Sequence, residues 1–385
     1  MRQAISYEMQ MIFVGSSGAF EATQNTGQKI SRLDFIQSYD FSFDVDRQAL
    51  KQIGSNAFAS RQTQLAPDVS LNLSYLLNDG WNEKHLGLDF VSGVYSNPMT
   101  SVFANTGDKN FYVLISQDQY QDANADTSAQ DYNVLGIGNA FITNYEISLS
   151  VGGLASATCS FVGANASITN YSNDRYVPAV NVGNTGETAE MDDVRYGIDF
   201  LDNSRSSRYI TGFKDVFDSG CSYDGCTISA TPTLVSGMRL GFDFDNFQSV
   251  SVSIPLERKA LYGFGSNYPT TRKIQIPVVA ALSIDSLVDS FQAENLANTF
   301  KSEDVAISGY DFDVLFKNSR GVEKFGLKVQ NARLDSYSLG AQIGDRTSVQ
   351  TSWSFEITPT TGILVSGSFG APTLSAIYIN ESINP

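Results

Sequence analysis

Catalysis needs nucleophiles, acids and bases at defined spacings, and this sequence offers few. His85 is the sole histidine, so any Ser–His–Asp relay would have to use it. It falls in Trp81–Leu86, which follows the turn signal Asn78-Asp79-Gly80 and reads as a short helix. Gly15-Ser16-Ser17-Gly18 lacks the nucleophile-elbow spacing. The chain has neither a phosphate loop ending in Gly-Lys-Ser/Thr nor a zinc-protease signature. Cys159, Cys221 and Cys226 are an odd number and a poor disulfide framework. Cys221 and Cys226 are spaced to pair across Ser-Tyr-Asp-Gly or to bind metal with outside help; with one histidine, reduced thiols made in the cytosol are the better reading. Asp118 to Asp131 is rich in oxygen ligands but lacks the calcium-loop pattern, and reads as a solvated loop. Asp243 and Asp245 are close carboxylates, yet glycosidase chemistry needs two in one cleft. The expectation is a non-enzymatic chain with no cofactor and no metal site.

Composition points the same way. At 385 residues the chain exceeds what one core usually organises, so two domains are expected. Phe and Tyr supply most of a 12% aromatic share, and Ser, Thr, Asn and Gly are frequent while charges are few. That mixture favours strands over helices. Lys plus Arg is 25 against 41 for Asp plus Glu, a net charge of −16. Such a surplus works against binding phosphate backbones or anionic membranes. It serves solubility, or a surface that must not hold DNA. Met1 to Ser6 lacks the apolar stretch and small-residue cleavage site of a secretion signal, so none is expected, and no run approaches the roughly twenty apolar residues of a membrane span.

The most informative feature is internal duplication. Ile36–Leu73 and Phe247–Ile284 align without a gap at an offset of 247 − 36 = 211. Identities include Gln37/Gln248, Ser38/Ser249, Ser42/Ser253, Arg47/Arg258, Ala49/Ala260 and Leu50/Leu261. They continue through Gly54-Ser55-Asn56 against Gly265-Ser266-Asn267, then Arg61/Arg272, Gln64/Gln275 and Leu71/Leu282. Chance would give about two or three matches over such a window. Weaker matches follow in the same order, Phe111–Ile115 with Phe312–Phe316 and Asn139-Ala140 with Asn331-Ala332. The expectation is a tandem duplication, residues 1–235 forming the first domain and 236–385 the second. Residues from about 165 to 235, which find no partner, are expected to hold closing strands of the first domain and a decorating loop.

The repeated unit reads as paired strands. Gln37, Tyr39, Phe41, Phe43 and Val45 alternate with Ser38, Asp40, Ser42 and Asp44, the period of a half-buried strand. Val69, Leu71, Leu73 and Tyr75 alternate with Ser70, Asn72 and Ser74. The second copy sets Val250, Val252 and Ile254 against Ser249, Ser251 and Ser253, and Leu282 and Ile284 against Ser283 and Asp285. The wet sides therefore consist of Ser, Asn and Asp without Lys or Arg. They suit a generic solvated sheet face, though four strands sharing this small, cation-free chemistry are unusual. Between the strands, Asp46 to Gly54 opens on an N-cap residue and ends in Gly, which predicts a short helical turn. The connector to Ala66 serves a partner contact or packs on its own domain; Arg47, Leu50, Gly54 and Arg61, with Arg258, Leu261, Gly265 and Arg272, are its candidate contact residues. A longer helix over Ser290 to Phe300 is expected to match Trp81–Leu86.

The run Gln37-Ser-x-x-Phe-Ser-Phe, then Arg47-x-x-Leu50, Gly54-Ser55 and Ser74-Tyr-Leu-Leu-Asn-Asp-Gly80, resembles tail-tube proteins of long-tailed phages. Asn139 to Leu149 and Ala157-Thr-Cys-Ser-Phe161 resemble their later strand pair. The resemblance implies a mainly β chain of two tail-tube-type sandwich or barrel domains, each flanked by a short helix. It implies homotrimeric rings, pseudo-hexameric in domains, stacked into a tube in the virion. DNA would pass through the lumen unbound, with tape-measure, baseplate and tail-terminator proteins as neighbours and no membrane. The wet-face residues Ser38, Asp40, Ser42, Asp44, Ser70, Asn72, Ser74, Ser249, Ser251, Ser253, Ser283 and Asp285 would then line the channel. A baseplate or tail-terminator ring of the same fold, and a carbohydrate-binding adhesive β protein, are the alternatives.

Overall fold

A computed structural model describes residues 10–16, 29–54, 56–63, 66–77, 80–88, 102, 108–116, 132–171, 176–178, 180, 188–192, 222–231, 247–265, 268–287, 310–317, 323–341, 346–357 and 376–379. The chain is mainly β, with large antiparallel sheets. The first strands are β1 (Gln10–Ser16), β2 (Lys29–Arg32), β3 (Ile36–Asp44), β4 (Arg47–Lys51), β5 (Phe58–Thr63) and β6 (Asp68–Leu76). After helix α1 (Trp81–Leu86) come β7 (Lys109–Ser116), β8 (Tyr132–Ser150), β9 (Ser156–Gly163), β10 (Asn165–Tyr171), β11 (Tyr176–Pro178) and β12 (Thr188–Asp192). Then follow β13 (Ser222–Thr231), β14 (Phe247–Pro255), β15 (Arg258–Tyr262), β16 (Pro269–Ile274) and β17 (Val278–Leu287). The last are β18 (Tyr310–Lys317), β19 (Glu323–Gly340), β20 (Ser348–Ile357) and β21 (Ala376–Ile379).

One antiparallel layer runs β3–β6–β9–β8–β14–β17–β20–β19. Its first four strands and its last four repeat one arrangement in register. Asp40 lies opposite Asn72 and Ser251 opposite Ser283, both shifted by 211. Tyr145 faces Cys159 and Tyr337 faces Thr351, both shifted by 192. Even the irregularities recur, between Ile142 and Asn144 in β8 and between Leu334 and Ser336 in β19.

β8 and β19 each cross into a second layer. The first half of β8 pairs with β7 and β10, and β7 with β1. The first half of β19 pairs with β18 and β21, and β18 with β13. Each crossing occurs at an asparagine of positive φ, Asn139 at 52° and Asn331 at 55°; Asn tolerates the left-handed region because its short amide bonds locally. Strand β13 is therefore to the second half what β1 is to the first. Ile12 sits opposite Val113 and Ile228 opposite Val314. Within the stretch 165–235, β13 pairs with β18 of the second half. Strands β1 and β13 share only that Ile, because pairing constrains the backbone more than the side chains.

The core lies between the layers and runs through both halves. Phe111 meets Phe161 at 4.6 Å, and the equivalent pair Phe312 and Trp353 meets at 4.9 Å. Helix α1 packs beneath the first half, where the sequence places it. Asn82 accepts from the Asp34 amide at 2.8 Å and donates to the Asp34 carbonyl at 2.7 Å. Tyr75 Oη donates to the buried Glu83 at 2.9 Å. Ser290 to Phe300, the expected second helix, lies outside the described residues.

Candidate functional site

Side chains directly opposite in an antiparallel pair share a face, so the registers define the wet side of the long layer. One row crosses Ser38, Ser74, Thr158, Glu146, Ser253, Ala281 and Ser354. The next crosses Ser156, Ser148, Ser251, Ser283, Ser352 and Ser336. A third runs Ser150, Ser249, Asp285, Gln350 and Ser338. Away from the edge strands β3 and β19 the opposite face is buried, with Leu71, Leu73, Ile284 and Leu282 at 0% exposure. Hydroxyls bridge neighbouring strands: Ser42 to Ser70 at 2.5 Å, Ser148 to Ser156 at 3.0 Å, and Ser249 donating to Asp285 at 2.6 Å. Seven of the eight strands contain no Lys or Arg, and on the eighth only Arg333, at the edge, joins this face.

All twelve wet-face residues named from the sequence lie on β3, β6, β14 and β17, as the alternation predicts. The contribution of β8, β9, β19 and β20 is larger than the sequence reading allowed. Its signal was the same alternation: Ser156, Thr158 and Ser160 against buried Ala157, Cys159 and Phe161.

The two halves meet at β8 and β14. Ile254 lies opposite Tyr145, Val252 opposite Ile147 and Val250 opposite Leu149, and all six are buried. Leu256 donates its amide to the Thr143 carbonyl, and Val151 to that of Gln248, so bonding extends past both strand ends. The β15–β16 hairpin then latches the second half onto the first. Arg272 donates to the carbonyls of Val162 at 2.8 Å and Gly163 at 3.3 Å, and Arg258 to that of Val102 at 2.7 Å. Both guanidinium groups stand over the Phe141 ring, at 4.8 Å for Arg258 and 5.6 Å for Arg272. Burial, then the neighbouring Arg272, lowers the Arg258 pKa, and burial lowers that of Arg272. Both remain cations, since guanidinium does not deprotonate in proteins. The sequence reading makes these arginines candidate inter-subunit contacts; the acceptors observed for Arg258 and Arg272 lie within the chain.

The described residues of the connector are not helical. Arg47–Lys51 and Phe58–Thr63 form a hairpin, as do Arg258–Tyr262 and Pro269–Ile274. The Asp and Gly signals that bracket Asp46–Gly54 suit a strand and tight turn equally, and Gly54 and Gly265 both supply that turn at φ 88°. At the two tips Ile53 and Phe264 are fully exposed. Where Arg272 reaches the other half, Arg61 of the first hairpin stands 5.5 Å over its own Phe58.

The layer ends at two edges. Beyond β3, and beyond the second half of β19, no strand pairs among the described residues. Phe43 and Leu339 are each 50% exposed there, whereas their equivalents at the seam, Ile254 and Ile147, are 3% and 2% exposed.

Among the described residues no three His, Cys, Asp or Glu side chains gather to hold a metal ion. His85 spends Nδ1 on the Trp81 carbonyl at 2.8 Å and stacks on the Trp81 ring at 4.0 Å. Cys159 is buried and free, while Cys221 and the acidic Asp118–Asp131 stretch lie outside the described residues.

No protein-family model matches the chain, and no curated protein matches it. Among solved structures it is similar to a chain of the SPP1 tail tube determined by solid-state NMR and cryo-EM. That likeness has 11% identity and a TM-score of 0.29, and covers 44% of this chain and 81% of the other. A chain of the anti-feeding prophage baseplate is similar at 13% identity, TM-score 0.24, over 35% of this chain and 92% of that one. So is a chain from the tail of an empty GTA particle, at 13% identity, TM-score 0.24, over 43% of this chain and 99% of that one.

Proposed function

We propose that this chain is a structural protein of a long-tailed phage virion that forms the tail tube, made in the host cytoplasm and assembled as stacked rings. It acts as two tandem domains, the second beginning with β13, so that three chains close a ring of six domains. The observation that carries this reading is the mostly polar face that runs over eight strands, across the seam between halves, and ends at two edges. A repeating sheet with open ends invites continuation by further copies, and a closed barrel removes the edges.

The dimensions suit a conduit. Three chains of eight strands give 24; at about 4.8 Å spacing and about 40° tilt, such a barrel is about 48 Å across between backbones. About 40 Å then remains between side-chain tips, wide enough for duplex DNA. Hydroxyls, amides and scattered carboxylates, with Arg333 the one cation that these eight strands add to the face, offer phosphates little to pair with, so DNA gains little by stopping. Tape-measure, baseplate and tail-terminator proteins would be the neighbours at the tube's interior and ends.

Electron microscopy of the purified protein tests the reading. Hollow filaments with a ring repeat of about 40 Å, the span of about twelve strand residues, are expected. Ser42→Lys combined with Ser253→Lys should slow or block DNA ejection, and unchanged ejection would take the two faces out of the channel. One ring per particle, in place of many, would make the chain an adaptor ring.

A further inference from the structure

We propose that the joint between neighbouring copies of this chain repeats its internal seam residue by residue, with the β4–β5 hairpin as the latch. The partner is a second copy, and the inference deepens the tube reading, from which it borrows only side-by-side association.

The argument starts from equivalence. β3 is to the first half what β14 is to the second, and β19 corresponds to β8. At the seam β14 lies against β8. At the ends of the same layer the equivalents of those two strands, β3 and β19, have no strand beyond them among the described residues. Carrying the seam register over by 211 and 192 places Phe43 of one copy opposite Tyr337 of the next. Ser42 then meets Ser338, Phe41 meets Leu339, and Asp40 meets Gly340. The apolar members fall on the core side and the hydroxyls on the wet side, so one joint buries Phe43 and Leu339 and extends the polar face. A shift by one residue would put Phe41 and Phe43 against the polar face.

The hairpin supplies a second, independent correspondence. Arg272 binds the Val162 and Gly163 carbonyls of the other half. The equivalent of Arg272 is Arg61, and those of Val162 and Gly163 are Ser354 and Phe355, which occupy the same places opposite Ala281 and Ala280. Arg61, resting on its own Phe58, is thus set to reach the Ser354 and Phe355 carbonyls of the next copy. One position differs. Phe141, the platform for both seam arginines, corresponds to Arg333, so the joint between chains lacks the cation–π contact and brings like charges together. That joint should be the weaker of the two.

Cysteine pairing tests the register. In a background with Cys221 and Cys226 replaced by Ser, Ser42→Cys with Ser338→Cys should give a covalent ladder on mild oxidation. Ser38→Cys with Ser338→Cys, four residues out of register, should give at least tenfold less. Arg61→Ala should reduce association while leaving the melting temperature of the single chain unchanged, and Arg333→Phe should promote association. Rings or filaments with equal cross-linking in both cysteine pairs would overturn the proposed joint and leave the tube reading standing. An in-register ladder from closed rings that never stack would keep the joint and remove the tube. A chain that stays monomeric at high concentration would overturn both.

Discussion

The seam between β8 and β14 and the edges at β3 and β19 are built from corresponding residues, yet the seam is core and the edges are only partly buried. At the seam the side chains are Val250, Val252 and Ile254 against Tyr145, Ile147 and Leu149, all buried. At the edges the equivalents of the β14 trio are the larger Tyr39, Phe41 and Phe43. Aromatic groups on an uncovered edge strand are a liability that proteins usually blunt with charge or proline. Here the charges on β3 are Asp40 and Asp44, both on its polar side, and its apolar side matches what the seam covers. The difference teaches that, at corresponding positions of this layer, burial follows from whether a neighbouring strand is present.

Substitution at matched positions is the sharpest way to break the comparison. Ile254→Ala should destabilise the single chain by about 2–5 kcal/mol, because it opens a cavity in packed core. Phe43→Ala should cost the single chain about 1 kcal/mol or less while reducing assembly, and urea unfolding of the two variants side by side measures the contrast. Equal losses would mean the edge is already covered within one chain. Next in size, Arg272→Ala leaves two carbonyls without their donor and should cost about 1–3 kcal/mol, against no measurable loss for Arg61→Ala in the unassembled chain.

The buried side of the first half gives a chemical test of the same contrast. Burial raises the Cys159 thiol pKa, opposed by its bond to Tyr75 and aided by Glu83, and burial likewise raises Tyr75 and Tyr145. These groups stay neutral when folded but ionise when unfolded. Their contribution is complete below the ordinary values of 9.0 and 10.0 and is lost as pH climbs beyond them. Melting temperature should therefore fall from about pH 9 upward, and peptide mass spectrometry should find Cys159 unlabelled by iodoacetamide until the chain unfolds. The smallest effect is expected at the two hairpin turns. Gly54→Ala and Gly265→Ala both force a side chain to φ 88° with nothing within 4 Å, so each should cost about 1 kcal/mol. A larger loss at one turn would mean that the hairpins are not equivalent.

Much of the layer was legible because period-two alternation is a local signal. The runs over Ile36–Asp44 and Asp68–Leu76 and their copies appear as strands with the polar side that the sequence assigns. Hairpin and helical turn were confused at Asp46–Gly54 because the same residues end both. Strand β13 was missed because Ile12/Ile228 is all it shares with β1. The seam itself was beyond reach: nothing in Ser249–Pro255 specifies Asn144–Ser150 as its partner, since pairing at that sequence distance depends on the whole core. The repeated Arg61/Arg272 pair was visible, and only its carbonyl acceptors in folded β9 give it meaning.

A cryo-EM reconstruction of the assembled protein at side-chain resolution tests the central claim most directly. It should show β3 of one chain hydrogen-bonded to β19 of the next with Phe43 opposite Tyr337, and the Ser, Asn and Asp rows turned to a hollow interior. Edges standing apart, or those rows facing outward, would contradict the account.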